Sequence, residues 1–230
     1  MNKRPIFDAF RRILGRGFTQ SEVNAIDLAF QQASGDLAKE AGQVKARTLT
    51  DSAVFFDHVR KVTGRLSQEQ VESIQLILTH SAAYPIAWVA YILATAWHES
   101  RFVPQEEWGK GKGKKYGKPG KYGQSQHGRG FVQLTWDFNY EWADRHLNFD
   151  GALLRNFDLA LTPSIAARIL VEGMVEGAFT GKALSHYLGV QATREQFKQA
   201  RKIVNGRDKE DLIAGYAVAF QEALVAGHWG

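Results

Sequence analysis

The chain has 230 residues, 44% of them hydrophobic, which predicts a globular protein with a sizeable core and room for a short appendage. It has no cysteine, so disulfides, cysteine-ligated metals and thiol nucleophiles are excluded, and the composition suits synthesis in a reducing cytoplasm. The net charge of +5 favours anionic partners such as nucleic acid, wall polymers or acidic membranes, but many proteins are mildly basic and the charge selects none of them.

The first 48 residues are predicted to form a helical appendage, and residues 49–230 the main domain. The N-terminus has no uninterrupted apolar run, so a secretory signal is not expected. Residues 7–12 (FDAFRR) are similar to residues 56–61 (FDHVRK), and each is followed by Gly-Arg and a stretch with capping-box spacing. These are either two related helical hairpins or two amphipathic hairpins that are alike by coincidence.

Most of the main domain is predicted to be helical, because its apolar residues recur at helical spacing. The predicted helices cover residues 84–99, 137–147, 162–179, 193–204 and 209–226. Residues 109–123 hold six glycines and six lysines, which predicts a loop or a thin β-hairpin. Residues 131–136 alternate in the manner of a short strand. The fold class is therefore mainly α with a minor β element.

Glu99 ends the most apolar of these predicted helices. Such a helix is expected to be buried. Desolvation and the negative end of the helix dipole then favour the protonated form of a carboxyl group at its C-terminus. A neutral carboxylic acid can protonate the leaving oxygen of a glycosidic bond. Alternatively, Glu99 is a solvated helix end paired with Arg101, and this segment alone does not decide.

Glycoside hydrolysis needs a second carboxylate, and Glu106 and Glu107 follow Glu99 within eight residues. Both come after Pro104, which ends a helix, so one of them is expected across a cleft from Glu99. Further along, residues 128–140 bring together amides, a hydroxyl group and aromatic rings. Amides bind sugar hydroxyls and N-acetyl groups, and rings stack on pyranose faces, so this segment is a candidate for sugar binding.

The motifs also carry a resemblance to a known family. The segments are AYILATAWHESRF (90–102), EEWGKGKGKKYG (106–117), GRGFVQLTWDFNY (128–140), AARILVEGMVEGAFTGKAL (166–184) and ARKIVNGRDKEDLIAGYA (200–217). They resemble glycoside hydrolase family 19, the plant-type chitinases, and especially its phage endolysin relatives. The resemblance covers about residues 54–226. It implies a lysozyme-like, two-lobed helical domain with a small β-hairpin.

By position, the resemblance assigns Glu99 as the general acid and Glu107 as the carboxylate that activates water, in a single displacement with inversion. Thr135 would help to hold that water. The residues implied to bind substrate are Gln133, Asn139, Arg201 and Asn205, and Tyr140 and His98 are further candidates for substrate binding. His127 departs from the family, which usually has an aromatic residue before Gly-Arg-Gly, so the resemblance does not define how a sugar stacks there. No metal and no cofactor are implied.

The function implied is that of an endolysin with muramidase activity, which hydrolyses β-1,4 bonds of the peptidoglycan backbone. We expect a monomer without a nucleic-acid partner, made in the host cytoplasm and reaching the wall after holin-dependent release. Lys110, Lys112, Lys114 and Lys115 either contact the anionic envelope or form a solvated, flexible hairpin. The alternatives are a chitinase, a toxin with the same chemistry, and a non-catalytic binder of cell wall or nucleic acid.

Overall fold

The structure is a computed structural model and describes residues 46–230. The predicted appendage, residues 1–48, lies almost wholly outside the described residues, as does the first of the two similar N-terminal segments. The described part is mainly helical with one two-stranded sheet, so the predicted mainly α class is confirmed. Among the helices of residues 46–230, none combines the length and the apolar character needed to cross a bilayer.

Eight α-helices run through residues 46–230. They are α1 Ser52–Thr63, α2 Gln68–His80, α3 Ile86–Ser100, α4 Asp137–His146, α5 Ala152–Arg155, α6 Pro163–Glu176, α7 Arg194–Ala200 and α8 Glu210–Ala226. Short 3-10 turns occupy Trp108–Gly111, Lys115–Gly117, Phe157–Leu161, Leu184–His186 and Arg201–Ile203. The five predicted helices correspond to α3, α4, α6, α7 and α8. Helix α6 ends earlier than predicted because Gly177 turns into left-handed backbone at φ 72°.

Helix α3 is the centre of the core. Ten of its fifteen residues are buried, and it packs mainly against α8. Pro85 caps its N-terminus in extended backbone, where the missing N–H costs nothing. The helix ends because Arg101 and Phe102 adopt left-handed backbone, at φ 53° and 60°. Phe102 is fully buried against the ring of Phe220, and this packing offsets the strain of its backbone.

The start of α2 supports the end of α3. The predicted capping box is present: the Ser67 hydroxyl accepts from the Gln70 N–H at 3.2 Å, and the Gln70 side chain accepts from the Ser67 N–H at 2.9 Å. The Gln70 amide also donates to the Arg101 carbonyl at 2.9 Å. One cap therefore fixes both the beginning of α2 and the turn that follows Glu99.

The sheet is small and differs from the prediction. Strands β1 Gln105–Glu106 and β2 Arg129–Gly130 pair antiparallel. Residues 131–136, predicted as a strand, form a tight turn instead. Gly130 and Gln133 have φ of 80° and 55°, which reverses the chain. The alternating pattern was a poor guide here because neighbouring residues of both faces are buried.

The connection between the two strands, residues 107–128, is called the arm below. It is a loop with two short 3-10 turns, which agrees with the first of the two predicted forms. Its only buried residue within those turns is Gly111. The arm is therefore held by polar contacts rather than by a core of its own.

Candidate active site

Glu99 lies at the end of α3 and contacts a buried cation. Its Oε1 accepts a hydrogen bond from Nη1 of Arg201 at 3.0 Å, although the two residues are 102 positions apart. The Arg201 side chain is 2% exposed and that of Glu99 is 20% exposed. Nε of Arg201 donates to the Asp208 carbonyl at 3.0 Å. The guanidinium is thus fixed from a second direction, and it holds one carboxylate oxygen of Glu99.

This arrangement changes the sequence-based expectation for Glu99. Its partner is Arg201, whereas the Arg101 guanidinium lies 4.5 Å from the centre of the Trp97 ring. Burial and the helix dipole are thus joined by a third influence on Glu99, a buried guanidinium in contact with its carboxylate. Arg201, which the resemblance assigned to substrate binding, orients the candidate acid.

His98 and Tyr91 lie beside this ion pair. The pKa of His98 is lowered, mainly by burial; Glu99 opposes this effect and Arg201 adds to it. Nδ1 of His98 is buried and has no hydrogen-bond partner within residues 46–230. Burial also raises the pKa of the Tyr91 hydroxyl. The unpartnered Nδ1 is thus enclosed by protein, and the role of His98 in binding substrate stays a prediction.

Glu107 begins the arm and is held by two uncharged donors. Its Oε1 accepts from the Tyr116 hydroxyl at 2.9 Å, and its Oε2 accepts from the Gly128 N–H at 3.3 Å. The hydrogen bond to Glu107 raises the pKa of Tyr116. The ring of Tyr116 meets the ring of Trp136 edge-on at 5.5 Å between centroids, which limits its movement.

Glu106 has a different environment from that of its neighbour. Its Oε2 lies 2.7 Å from Nζ of Lys110, and its Oε1 lies 3.1 Å from Nε2 of the buried His127. The hydrogen bond from Lys110 is the main reason that the pKa of Glu106 is lowered. Glu106 alone would raise the pKa of His127, but burial and Arg129 outweigh it and the pKa is lowered. Glu106 therefore contacts an ammonium group and an imidazole, whereas Glu107 accepts hydrogen bonds from two uncharged donors.

Gln133, Thr135 and Asn139 lie in sequence order along one chain of hydrogen bonds. The Gln133 amide donates to the Gln105 carbonyl at 3.0 Å, Thr135 donates to the Gln133 carbonyl at 2.7 Å, and Asn139 donates to the Thr135 carbonyl at 2.8 Å. A Cβ at Gly128 would lie 2.8 Å from Oε1 of Gln133, so this group packs directly against the glycine that binds Glu107. The structure thus brings these three predicted site residues together, with Gln133 against the glycine whose N–H binds Glu107.

The structure corrects the prediction for Tyr140. It was assigned to substrate binding, but its side chain is fully buried and its ring stacks on Phe157 at 3.8 Å. Its hydroxyl donates to the Leu134 carbonyl at 3.0 Å and accepts from Arg129 at 3.2 Å. Burial raises its pKa to about 12. Tyr140 is a core residue that fixes the turn ahead of α4 and cannot reach a substrate.

Asn205 is exposed, and within residues 46–230 its hydrogen bond to the site residue Arg201 is made by its backbone. Its N–H donates to the Arg201 carbonyl at 3.0 Å, and its Oδ1 accepts from the Gly206 N–H at 2.8 Å. Its side chain therefore stabilises the turn that follows Arg201.

Two residues near the site were missed by sequence reasoning. Tyr116, which holds Glu107, is one of two tyrosines in a segment dominated by glycine and lysine, and no spacing rule singles it out. Trp108 directly follows Glu107 and is 99% exposed, which the sequence did not indicate. Within residues 46–230 no group of His, Asp or Glu could hold a metal ion.

A cavity of about 440 Å³ lies between Lys121 and Tyr122 of the arm and helix α4. None of the predicted site residues lines it.

Comparison of the chain with protein-family models, curated proteins and solved structures finds no match. Any functional assignment therefore depends on the contacts described above and on the resemblance of the motifs.

Proposed function

We propose that this chain is a glycoside hydrolase of the peptidoglycan backbone, with a lysozyme-like fold whose helical lobe and arm border a substrate cleft. The observation that carries the proposal is the different way in which two carboxylates are held. Glu99 contacts a buried guanidinium at the end of a helix, whereas Glu107 is oriented by two neutral donors on the arm. The two carboxylates thus have unlike partners, a cation for Glu99 and uncharged donors for Glu107.

In the proposed reaction Glu99 is the general acid. Arg201 binds Oε1, so Oε2 is the oxygen that carries the proton to the leaving oxygen of the sugar. As the glycosidic bond breaks, Glu99 becomes an anion next to the fixed cation of Arg201. This contact stabilises the charge that develops in the transition state more than it stabilises the protonated acid.

Glu107 is the proposed general base. It accepts a proton from a water molecule, and the oxygen of that water bonds to the anomeric carbon on the face opposite the leaving group. The Thr135 hydroxyl donates to the Gln133 carbonyl, which leaves its oxygen lone pairs free to accept from this water. Tyr116 and Gly128 keep the Glu107 carboxylate in one orientation while the proton moves.

Peptidoglycan is preferred over chitin because the motifs resemble the endolysin branch and the arm is basic. Action as a monomer on the wall after holin-dependent release belongs to the same proposal. The test is digestion of purified peptidoglycan and of chitin, with mass analysis of the new reducing ends. Muramic acid ends on peptidoglycan alone support a muramidase, and products from chitin alone would support a chitinase.

Glu99→Gln is the decisive variant, because the amide is nearly isosteric and cannot donate the proton of a carboxylic acid. General acid catalysis contributes about 10²–10⁴-fold, so turnover is expected to fall by that factor while the circular dichroism spectrum is kept. Wall binding should persist, which distinguishes an enzyme from a binder. Near-normal turnover by the folded variant would refute the proposed role of Glu99.

The neighbouring carboxylates provide a matched pair of variants. Glu107→Gln is expected to reduce turnover far more than Glu106→Gln, since Glu106 is occupied by Lys110 and His127. Initial rates on the same peptidoglycan preparation measure the difference. A larger loss for Glu106→Gln would mean that Glu106, and not Glu107, is the general base.

A further inference from the structure

The arm after Glu107 belongs to a stretch with an unbalanced charge. Residues 108–136 contain six lysines and one arginine but no aspartate or glutamate. Three of these cations are paired with carboxylates elsewhere: Lys110 with Glu106, Lys121 with Glu141, and Arg129 with Asp158. The other four are exposed and form no ion pair in the described part of the chain; they are Lys112, Lys114, Lys115 and Lys118.

Trp108 lies at the beginning of the same stretch. Trp108 is 99% exposed, while the next most exposed aromatic residue in residues 46–230, Phe138, is 61% exposed. Gly109 and Lys110 have φ of 75° and 48°, and this turn leaves Trp108 in solvent immediately after Glu107. Tryptophan is enriched at interfaces because its ring offers a large apolar area and a polar N–H, so a ring exposed to this extent is a candidate binding residue.

We propose that Trp108 and the four unpaired lysines form a binding surface for an anionic polysaccharide. The indole stacks on a pyranose ring next to the bond at Glu107, and the lysines bind the carboxylates of peptides attached to the glycan. A neutral polymer such as chitin supplies the ring but no charge for the lysines. This inference rests on the proposed function and specifies its substrate class, a glycan that carries carboxylate groups.

The test measures binding of the full-length Glu99→Gln protein, which does not consume its ligand. Sedimentation is carried out with three polymers: sacculi stripped of teichoic acid, the same sacculi with their peptide carboxylates converted to neutral amides, and chitin. The variants are Trp108→Ala and the pair Lys114→Gln with Lys115→Gln. The matched controls are Leu212→Ala, an exposed apolar residue on α8, and the pair Lys61→Gln with Lys182→Gln.

We expect Trp108→Ala to weaken binding to all three polymers about tenfold, with little dependence on salt. The lysine pair is expected to weaken binding only to sacculi that keep their carboxylates charged. The loss should largely disappear at high salt, because the Debye length shrinks from about 10 Å at 0.1 M to about 3 Å at 1 M. The control variants should bind as their parent does.

Equal binding by the arm variants and their controls would overturn the inference. A fourth polymer, sacculi that retain teichoic acid, distinguishes the source of the negative charge. If the lysine effect is confined to these sacculi, phosphate is the ligand and the assignment to peptide carboxylates is wrong. Failure of the proposed function has another signature, since the unmodified protein would then release no reducing ends from peptidoglycan, whatever the arm variants bind.

Discussion

The two candidate carboxylates lie in regions that are held in place by different kinds of contact. Glu99 ends a helix in which ten of fifteen residues are buried, and its partner Arg201 is 2% exposed. Glu107 begins an arm whose 3-10 turns bury only Gly111. Packing therefore positions the first carboxylate, and hydrogen bonds position the second. It follows that loss of a partner should reduce stability in the helical region and activity in the arm.

The arm is nevertheless more ordered than its composition suggests. The Cα of Gly117 lies against the Gly111 carbonyl, where a Cβ would clash, and a Cβ at Gly111 would lie 2.8 Å from the Tyr116 ring. Two glycines thus let the backbone close on itself, and this closure presents the Tyr116 hydroxyl to Glu107. Glycine in this segment provides close approach as well as freedom.

The largest effect on stability is expected for Arg201→Leu. The substitution leaves the Glu99 carboxylate without its cation in a largely buried place, which should lower the free energy of unfolding by about 3 kcal/mol. Urea denaturation measures the change. Adding Glu99→Gln should recover much of the loss, because the neutral amide no longer needs a cation. Strictly additive losses in the double variant would show that the ion pair does not hold this region.

The sequence predicted the helical region better than the arm, for physical reasons. A long apolar run defines α3 and places Glu99 at its end, because local periodicity carries that information. The contact with Arg201 joins residues 102 positions apart, so no local pattern contains it. The resemblance to a family indicated that Arg201 belongs to the site, but the packing of the chain determines which side chain it contacts.

The errors lie where burial is uniform or where backbone geometry decides. Residues 131–136 alternate like a strand, yet positive φ values at Gly130 and Gln133 make them a turn. Tyr140 resembles a sugar-stacking residue in sequence, but Phe157 and Arg129 enclose it. The hydroxyl of Tyr116 reaches Glu107 only because the arm folds back, which composition alone cannot predict.

An intermediate effect, on activity rather than on stability, is expected for Tyr116→Phe. The variant keeps the ring contact with Trp136 and removes only the hydroxyl that orients Glu107. One such hydrogen bond contributes about 0.5–1.5 kcal/mol, so turnover should fall by up to about tenfold with almost no change in Tm. Rates on peptidoglycan and thermal unfolding measure the two quantities.

Tyr122→Phe is the matched control for that experiment. Its hydroxyl donates to Glu141 at 2.8 Å, a bond of the same kind in the same arm, but Glu141 has no proposed role in the reaction. We expect it to leave turnover unchanged. If both variants lose activity equally, the arm as a whole matters and Tyr116 has no specific role in holding Glu107.

The smallest effect is expected on the pH dependence of stability, at His127 in the arm. Nδ1 of His127 lies 2.9 Å from the Ser125 hydroxyl, and its Nε2 lies 3.1 Å from Glu106. Burial lowers the pKa of His127, so the unfolded chain binds a proton more readily than the folded one. Its contribution to stability is therefore complete above its ordinary pKa of about 6.5 and declines as the pH falls below that value. Glu106, whose pKa is lowered mainly by Lys110, adds a second loss at more acidic pH.

His127→Gln isolates the first of these two losses. Glutamine can donate to Glu106 but does not titrate, so this hydrogen bond can be kept while the proton linkage of His127 disappears. The fall in Tm between pH 7.5 and pH 5.5 should be smaller in the variant than in the unmodified protein, and His228→Gln, at an exposed position, controls for the loss of a histidine as such. An unchanged fall would mean that His127 opens to solvent before the chain unfolds. The arm would then be even less dependent on packing than its contacts indicate, and its difference from the helical region would be larger still.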